Sequence, residues 1–127
     1  MRVQEGEGWR LLVDPARHPF AVLIGGPGWA AELTRAEAAL LAKGVGQLVQ
    51  QHGALLDQLM AEESIALEWE SGDLWLALEG DRQAWELHVV LSSTSGLRGI
   101  EGTWPAPVAP VLAAALRALE ADLLNPA

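Results

Sequence analysis

The spacing of the apolar residues changes three times along this chain, and that feature limits its possible folds more than any other. Apolar residues first alternate with other residues, then recur at near-helical spacing, then alternate again, and finally return to helical spacing. Alternation is typical of strands with one buried face, whereas recurrence every three or four residues is typical of amphipathic helices. The order predicts an α+β fold of two tandem antiparallel strands-then-helix units: three strands, a helix, four strands and a helix.

The first half supplies three predicted strands, Trp9 to Val13, Phe20 to Ile24 and Trp29 to Leu33. The glycine-rich segment between the second and third strands follows an apolar strand, as a phosphate-binding loop would. This segment, Gly25-Gly26-Pro27-Gly28, lacks both the Gly-Lys-Ser/Thr ending of a P-loop and the spacing of a dinucleotide fingerprint. It is therefore predicted to be a hairpin turn.

A capping box predicts where the first helix begins. Thr34-Arg35-Ala36-Glu37 places a hydroxyl and a carboxylate three residues apart, so that each side chain can satisfy a free backbone N–H of the other residue. The apolar stripe behind it predicts a helix to about Met60. Gly44, Gly46 and Gly53 weaken that helix by roughly 1 kcal/mol each relative to alanine. These glycines indicate either a kink or close packing against the sheet.

The second half repeats the layout of the first. Strands are predicted at Ile65–Glu70, Leu74–Glu79, Trp85–Leu91 and Arg98–Trp104. A second helix is predicted to begin near Pro110, a residue suited to a first turn. Both halves end with a tryptophan-bearing strand that leads into an alanine- and leucine-rich helix, which hints at an internal duplication.

Length and composition limit the class of protein. With 127 residues, 50% of them hydrophobic, the chain can bury roughly two-thirds of its unfolded surface. One domain is predicted over residues 1–127, with its core at about 4–124. The absence of cysteine excludes disulfides, thiolate catalysis and cysteine-based zinc sites. The N-terminal residues have no apolar segment of the kind found in a signal peptide, so we expect a cytoplasmic protein that does not enter a membrane.

The charge balance narrows the possible partners. The chain has 17 acidic and 8 basic residues, for a net charge of −9. Phosphate backbones are bound by clustered lysine and arginine, but the basic residues of this chain are scattered along the sequence. Tight binding of nucleic acid or of an anionic membrane is therefore disfavoured. Only folding could bring Arg10, Arg17, Arg82 and Arg98 into one patch.

The sequence contains no recognisable catalytic set. His18, His52 and His88 occur singly, in a predicted loop, helix and strand, and none has a second metal ligand at helix or strand spacing. His52 is expected beside the core, and His88 on a polar strand face. Ser92 to Gly96 is predicted to be a polar loop and not the strained turn that a nucleophilic serine needs. We therefore predict no enzyme activity, no catalytic residue and no cofactor.

Four glutamates are predicted to share one face of the second sheet. Glu68, Glu70, Glu79 and Glu86 alternate with apolar residues on three neighbouring strands. A solvated outer face is the simplest interpretation. The alternatives are a divalent-cation site and a carboxylate pair for acid–base chemistry. A partner with a basic surface would also relieve the repulsion between these side chains.

The six tryptophans divide into two groups. Five are in phase with the apolar faces of their strands, so that they are predicted to pack in the core: Trp9, Trp29, Trp69, Trp85 and Trp104. Trp75 alone is out of phase, between Leu74 and Leu76. It could stack on a nucleic-acid base, anchor a protein partner or be buried under a returning helix; packing or a dimer contact is favoured because the surroundings are acidic. Trp75, Arg10, Arg82 and the four glutamates form the candidate binding surface.

Several motifs resemble those of a small cyanobacterial protein family of unknown function: Glu5–Leu11, Val22–Gly26 with Gly28–Thr34, Asp57–Glu63, Leu78–Arg82 and Glu101–Pro107. The resemblance covers the chain from about Gln4 to Leu119. It implies a fold akin to the Whirly-type single-stranded-DNA-binding transcriptional regulators, in which two strands-plus-helix units pack together. Those proteins bind single strands through sheet surfaces and loops that bear lysine, arginine and aromatic residues.

Two functional hypotheses follow from these observations. The first is a non-enzymatic binding or assembly module that acts through its sheet surface, with Trp75 as an anchor and with a protein partner or a second copy as its ligand. The second is single-stranded nucleic-acid binding, which the fold resemblance implies and which the net charge of −9 disfavours. A cation or small-ligand site at the four glutamates is a third possibility.

Overall fold

The computed structural model describes residues 1–92 and 98–124. Eight strands and two α-helices make up the fold, with one short 3₁₀-helix after the first α-helix. Their bounds are β1 (Arg2–Gly6), β2 (Trp9–Val13), β3 (Val22–Gly26), β4 (Trp29–Leu33), α1 (Arg35–Leu55), the 3₁₀-helix (Leu56–Gln58), β5 (Ile65–Ser71), β6 (Leu74–Gly80), β7 (Trp85–Ser92), β8 (Gly99–Trp104) and α2 (Ala109–Leu124).

The strands form two four-stranded antiparallel sheets. The first has the order β1-β2-β3-β4 and the second β5-β6-β7-β8, so every strand pairs with its neighbour in the chain. The predicted α+β class and its tandem strands-then-helix layout are therefore confirmed. The predicted count of three strands in the first unit is wrong, because that unit has four.

The strand that the sequence did not predict is β1. It lies at the edge of the first sheet, and most of its residues are exposed. Such a strand needs no alternating apolar face, so Arg2–Gly6 carried no periodic signal. Glu7 and Gly8 form the two-residue turn into β2, and Gly8 has a φ of 81°, which glycine adopts without the strain of a side chain.

The capping box of α1 is present in full. The Thr34 hydroxyl accepts a hydrogen bond from the Glu37 N–H, and the Glu37 carboxylate accepts one from the Thr34 N–H. The predicted end near Met60 is too late. The α-helix ends at Leu55 and is followed by one 3₁₀ turn in which no residue is buried. The apolar spacing in the sequence therefore extends past the last residue of the α-helix.

Both helices pack on the inner faces of the sheets. α1 contacts β5 and β6, α2 contacts β7 and β2, and the two helices contact each other along their length. The core contains Leu11, Ile24, Leu41, Leu48, Leu76, Leu78, Leu87, Leu112 and Leu119, all almost completely buried. His52 is the buried polar side chain among the described residues, which confirms its predicted place beside the core.

Two tryptophans connect the halves of the molecule. The Trp104 indole N–H donates to the Gly25 carbonyl oxygen at 2.9 Å, and the Trp29 indole N–H donates to the Thr103 carbonyl oxygen at 3.1 Å. The two ring centroids are 5.0 Å apart. Each half therefore contributes a ring that binds the backbone of the other half.

Tryptophan faces glycine across several hairpins. Gly6 lies opposite Trp9, Gly26 opposite Trp29, and Gly80 opposite Trp85. A Cβ atom at Gly6 or Gly26 would collide with the indole of its partner. In the first half the glycine thus makes room for the indole, whereas a Cβ atom at Gly80 would meet the backbone of Ala84 and Trp85.

The remaining element predictions differ from the structure mainly at their ends. The second strand of the chain was predicted at Phe20 to Ile24, and its counterpart β3 covers Val22–Gly26; β8 begins at Gly99. Pro27 and Gly28 form a hairpin turn as predicted. Ser92 ends β7, whereas the rest of the predicted serine-rich loop lies outside the described residues. Of the helices in the described ranges, neither has the length and apolarity needed to cross a membrane.

Candidate binding surface

The outer face of the second sheet, opposite the helices, carries the predicted glutamates. We call it the acidic sheet face and define it by six residues that point away from the core: Glu68, Glu70, Trp75, Glu79, Glu86 and Glu101. None of the four strands contains a lysine or an arginine. The face therefore presents carboxylates without any neutralising cation from its own strands.

The strand register determines how the carboxylates lie. Glu79 and Glu86 are directly opposite each other on β6 and β7, and such pairs have Cβ atoms about 5 Å apart. Glu68 lies opposite Ala77, and Glu70 lies opposite Trp75. Like charges on neighbouring strands repel, and this repulsion lowers the stability of the sheet until a positive group approaches.

Trp75 lies at the end of this face that is next to the turn between β5 and β6, and it is only half-buried. Its ring meets the His88 ring edge-on, with centroids 5.3 Å apart. His88 Nε2 lies 3.1 Å from a Glu101 carboxylate oxygen, and Val90 lies opposite Trp75 on β7. Of the alternatives considered for Trp75, burial under a returning helix does not occur, because both helices of the described residues lie on the other side of this sheet. Trp75 and Val90 form an apolar spot between Glu70 on β5 and Glu101 on β8.

The carboxylates are not arranged as a metal site. Within residues 1–92 and 98–124, no group of three or more histidine, aspartate or glutamate side chains is close enough to hold a metal ion. The strands hold Glu68 and Glu70 on alternate positions of β5, two residues apart, so that both point outward without converging. The structure gives no ligand set for the cation alternative in the part of the chain that it describes.

The two arginines predicted to join this surface lie elsewhere. Arg10 is on the outer face of the first sheet, opposite Glu5, because β2 belongs to that sheet. Arg82 is exposed in the turn between β6 and β7. The candidate surface predicted from the sequence is therefore divided, and only its tryptophan and glutamates share one face.

The four arginines considered as a patch do not converge into one. Arg17 binds the Glu32 carboxylate at 3.0 Å, and Arg98 donates to the Glu32 carbonyl oxygen at 3.2 Å. Arg98 also binds Glu37 and lies over the Phe20 ring, 4.8 Å from its centroid. These two charges are therefore used within the chain and are not free for a phosphate backbone.

Two carboxyl groups away from the acidic sheet face have lowered pKa values. Burial raises the pKa of Glu37, but hydrogen bonds from Arg98 and Thr34 and the Arg98 charge outweigh it, and the net pKa is below the ordinary value. Backbone N–H groups of Ala84 and Gln83 lower the pKa of Asp81. The Asp81 backbone oxygen lies 2.9 Å from His52 Nε2. The ionised Glu37 side chain thus stabilises the start of α1, and the ionised Asp81 side chain stabilises the turn between β6 and β7.

Sequence reasoning missed part of this surface. Glu101 and Val90 were not singled out, although each is outward-facing in the alternation of its strand. His88 lies on the polar strand face as predicted, where it packs against Trp75 and Glu101. The signal for Glu101 was present in the alternation of β8, whereas the contacts of His88 depend on a cross-strand register that the sequence alone does not provide.

Comparisons with known proteins agree with this architecture. Residues 4–119 match a family model described as a domain of unknown function, DUF1818, which is the span over which the motifs resemble a family. The chain is similar to a crystal structure of a protein with unknown function, assigned to the DUF155 family, from the cyanobacterium Prochlorococcus sp. NATL2A. The two are 40% identical, the similarity covers 94% of this chain and 98% of that one, and the TM-score is 0.88. No curated protein matches the chain.

Proposed function

We propose that this chain, which belongs to the DUF1818 family of domains of unknown function, is a non-enzymatic binding module that holds a basic protein segment on its acidic sheet face. The observation that supports this proposal is a sheet of four strands without lysine or arginine, whose outer face carries Trp75 and five glutamates. Its partner is either another protein or a second copy of the chain.

Charge and shape each have a role in this proposal. The glutamates attract a basic segment over a distance and raise its association rate, an effect that salt weakens. Trp75 and Val90 then offer the apolar contact that a charged rim surrounds in many protein interfaces. Repulsion between Glu79 and Glu86 falls when a cation lies above them, so that binding also stabilises the sheet.

A Whirly-like ancestry is part of the proposal at the level of architecture. Its support is the order of elements, in which each half has four antiparallel strands followed by a helix. We do not extend this kinship to single-stranded DNA, because function does not follow from fold. The acidic sheet face would repel phosphates, and Arg17 and Arg98 are already bound to Glu32 and Glu37.

A peptide that alternates lysine with leucine is the direct test of the charge requirement. We would measure its binding by fluorescence anisotropy at low and moderate salt. The triple variant Glu68→Gln, Glu70→Gln, Glu79→Gln should bind about tenfold more weakly, since each exposed ion pair contributes about 0.5 kcal/mol. The matched control carries the same change of charge at Glu7, Glu62 and Glu63, which are exposed outside this face. Equal weakening of both variants would contradict the proposal.

The apolar anchor needs a separate variant. Trp75→Ala should weaken the peptide, whereas Leu12→Ala, on the outer face of the first sheet, should not. A mixed oligonucleotide that binds more tightly than the peptide at low salt would instead support the nucleic-acid hypothesis. Sedimentation of the free protein identifies the second-copy case, because self-association through this face would be lost in Trp75→Ala.

A further inference from the structure

A groove of about 1070 Å³ lies between α1 and α2, apart from the acidic sheet face. Lys43, Gly46 and Val49 line it from α1, and Ala113 and Arg117 line it from α2. Trp85 closes it from the sheet beneath the helices and is only 8% exposed. Its volume is close to the upper end of the range for sites that take small molecules, which is about 300–1,000 Å³.

Two basic side chains, Lys43 and Arg117, line this groove in a chain whose net charge is −9. Lys43 and Arg117 are exposed, and neither forms an ion pair with a carboxylate of the described residues. What distinguishes them from the other basic residues without an ion pair there is that both line one groove, so that their joint charge would attract an anionic ligand.

The two cations lie at neighbouring levels of the helices. Arg35, at the start of α1, donates to the backbone oxygen of Asp122, near the end of α2, so the helices run antiparallel. Lys43 lies two turns further along α1, and Arg117 lies between one and two turns back along α2. Val49 and Trp85 lie further towards the other end. The groove thus has its two basic residues at one end, while Val49 and Trp85 lie towards the other end together with Gln47 and Gln50.

Gly46 has no role in the internal packing. A Cβ atom there would meet nothing within 4 Å, and a glycine inside a helix costs about 1 kcal/mol relative to alanine. By contrast, Gly44 is needed, because a Cβ would approach Leu76 and Trp69 to 2.6 Å. A side chain at position 46 would project into the groove, and the glycine therefore keeps it open.

We propose that this groove binds a small amphipathic anion, with a carboxylate or phosphate head at Lys43 and Arg117 and an apolar body along Val49 and Trp85. The planar arginine fork can hold two oxygens of such a head, and lysine adds a second positive charge. The apolar body covers the exposed parts of the apolar side chains in the groove and removes them from water. The site does not depend on the function proposed for the acidic sheet face.

Decanoate and decyl phosphate are suitable probes, and decanol is the uncharged reference. Isothermal titration below the micelle concentration should show at least one of the two anions binding about fivefold more tightly than decanol, which two exposed ion contacts of about 0.5 kcal/mol each would provide. The response of the two anions identifies the preferred head group. Equal affinity of all three probes, or no binding of any, would overturn the proposal.

Two pairs of variants place the ligand in the groove. Gly46→Leu should abolish binding, whereas Gly53→Leu should not, because Gly53 is an exposed glycine of the same helix with equally free space. Lys43→Gln with Arg117→Gln should reduce the affinity for the anion to that for decanol, and Arg82→Gln is the control. Retention of binding in Gly46→Leu, with the protein still folded by circular dichroism, would refute the site.

Glu120 provides a test in the opposite direction. It lines the same groove, one helical turn from Arg117, and its charge opposes an anion. Glu120→Gln should therefore tighten binding about two- to fivefold, in keeping with the value of one exposed charge pair. A weaker affinity in this variant would contradict the proposed location of the head group.

Discussion

Gly44 and Gly46 should respond in opposite ways to the same substitution. Both lie in the interior of α1, two residues apart. Gly46 faces open space, while a Cβ at Gly44 would come within 2.6 Å of Leu76 Cδ1 and of the Trp69 ring. Alanine at either position improves the helix propensity, but only at position 44 does the new methyl group meet atoms of the sheet. We expect Gly46→Ala to stabilise the protein and Gly44→Ala to destabilise it.

The magnitudes follow from two opposing effects. Replacing a helix-interior glycine by alanine raises the free energy of unfolding by about 0.5–1 kcal/mol. Overpacking a filled site lowers it by about 1–3 kcal/mol, and Leu76 has no free space since it is completely buried. The two variants should therefore differ by about 1–3 kcal/mol. For a domain of this size that difference corresponds to roughly 3–10 °C in Tm.

Urea denaturation followed by circular dichroism measures both values. A double variant gives the mechanism: if Trp69 causes the clash, Gly44→Ala should cost less in a Trp69→Val background than in the parent chain. Equal stabilisation by alanine at both positions would refute the reasoning, since it would mean that the sheet does not press on the helix at Gly44.

Three further results are expected. Trp104→Phe should lower the free energy of unfolding by about 1–3 kcal/mol, because the buried Gly25 carbonyl loses its donor; the half-buried Trp9→Phe, which breaks no bond between the halves, is the control. Glu37→Gln should make the free energy of unfolding fall less steeply as the pH is lowered. The folded-state pKa of Glu37 is lowered, so its contribution is present above the ordinary glutamate pKa of about 4.3 and is lost as the pH falls. Urea midpoints measured from pH 6 to pH 3 would check this. Thr34→Ala should cost about 1 kcal/mol in thermal melts through loss of the cap.

The sequence predicted those parts of the fold that depend on a local pattern. The period change near Ser64 identified the second sheet, and the Thr34 capping box identified the start of α1. β1 was missed because it is an exposed edge strand without an apolar face. The end of α1 was misplaced because apolar residues such as Leu59, which is buried, continue the helical spacing beyond the α-helix.

The residues of the candidate sites could likewise be predicted only where a local pattern determines their position. Glu68, Glu70 and Glu79 could be placed on one face because alternation along a strand determines which side each residue takes. The location of Arg10 could not be predicted, since a strand pattern does not say which of two sheets it joins. The groove could not be predicted from the sequence either, because Lys43 and Arg117 are far apart in the chain and are brought together only by the antiparallel packing of the helices.

The reciprocal indole hydrogen bonds have a consequence for how the molecule folds. Trp29 of the first half holds the backbone at Thr103, and Trp104 of the second half holds the backbone at Gly25. Neither hydrogen bond can form until both halves are in place, although each sheet consists of local hairpins that can pair early. We therefore expect the two halves to depend on each other for stability, so that they unfold as one cooperative unit despite the repeated layout.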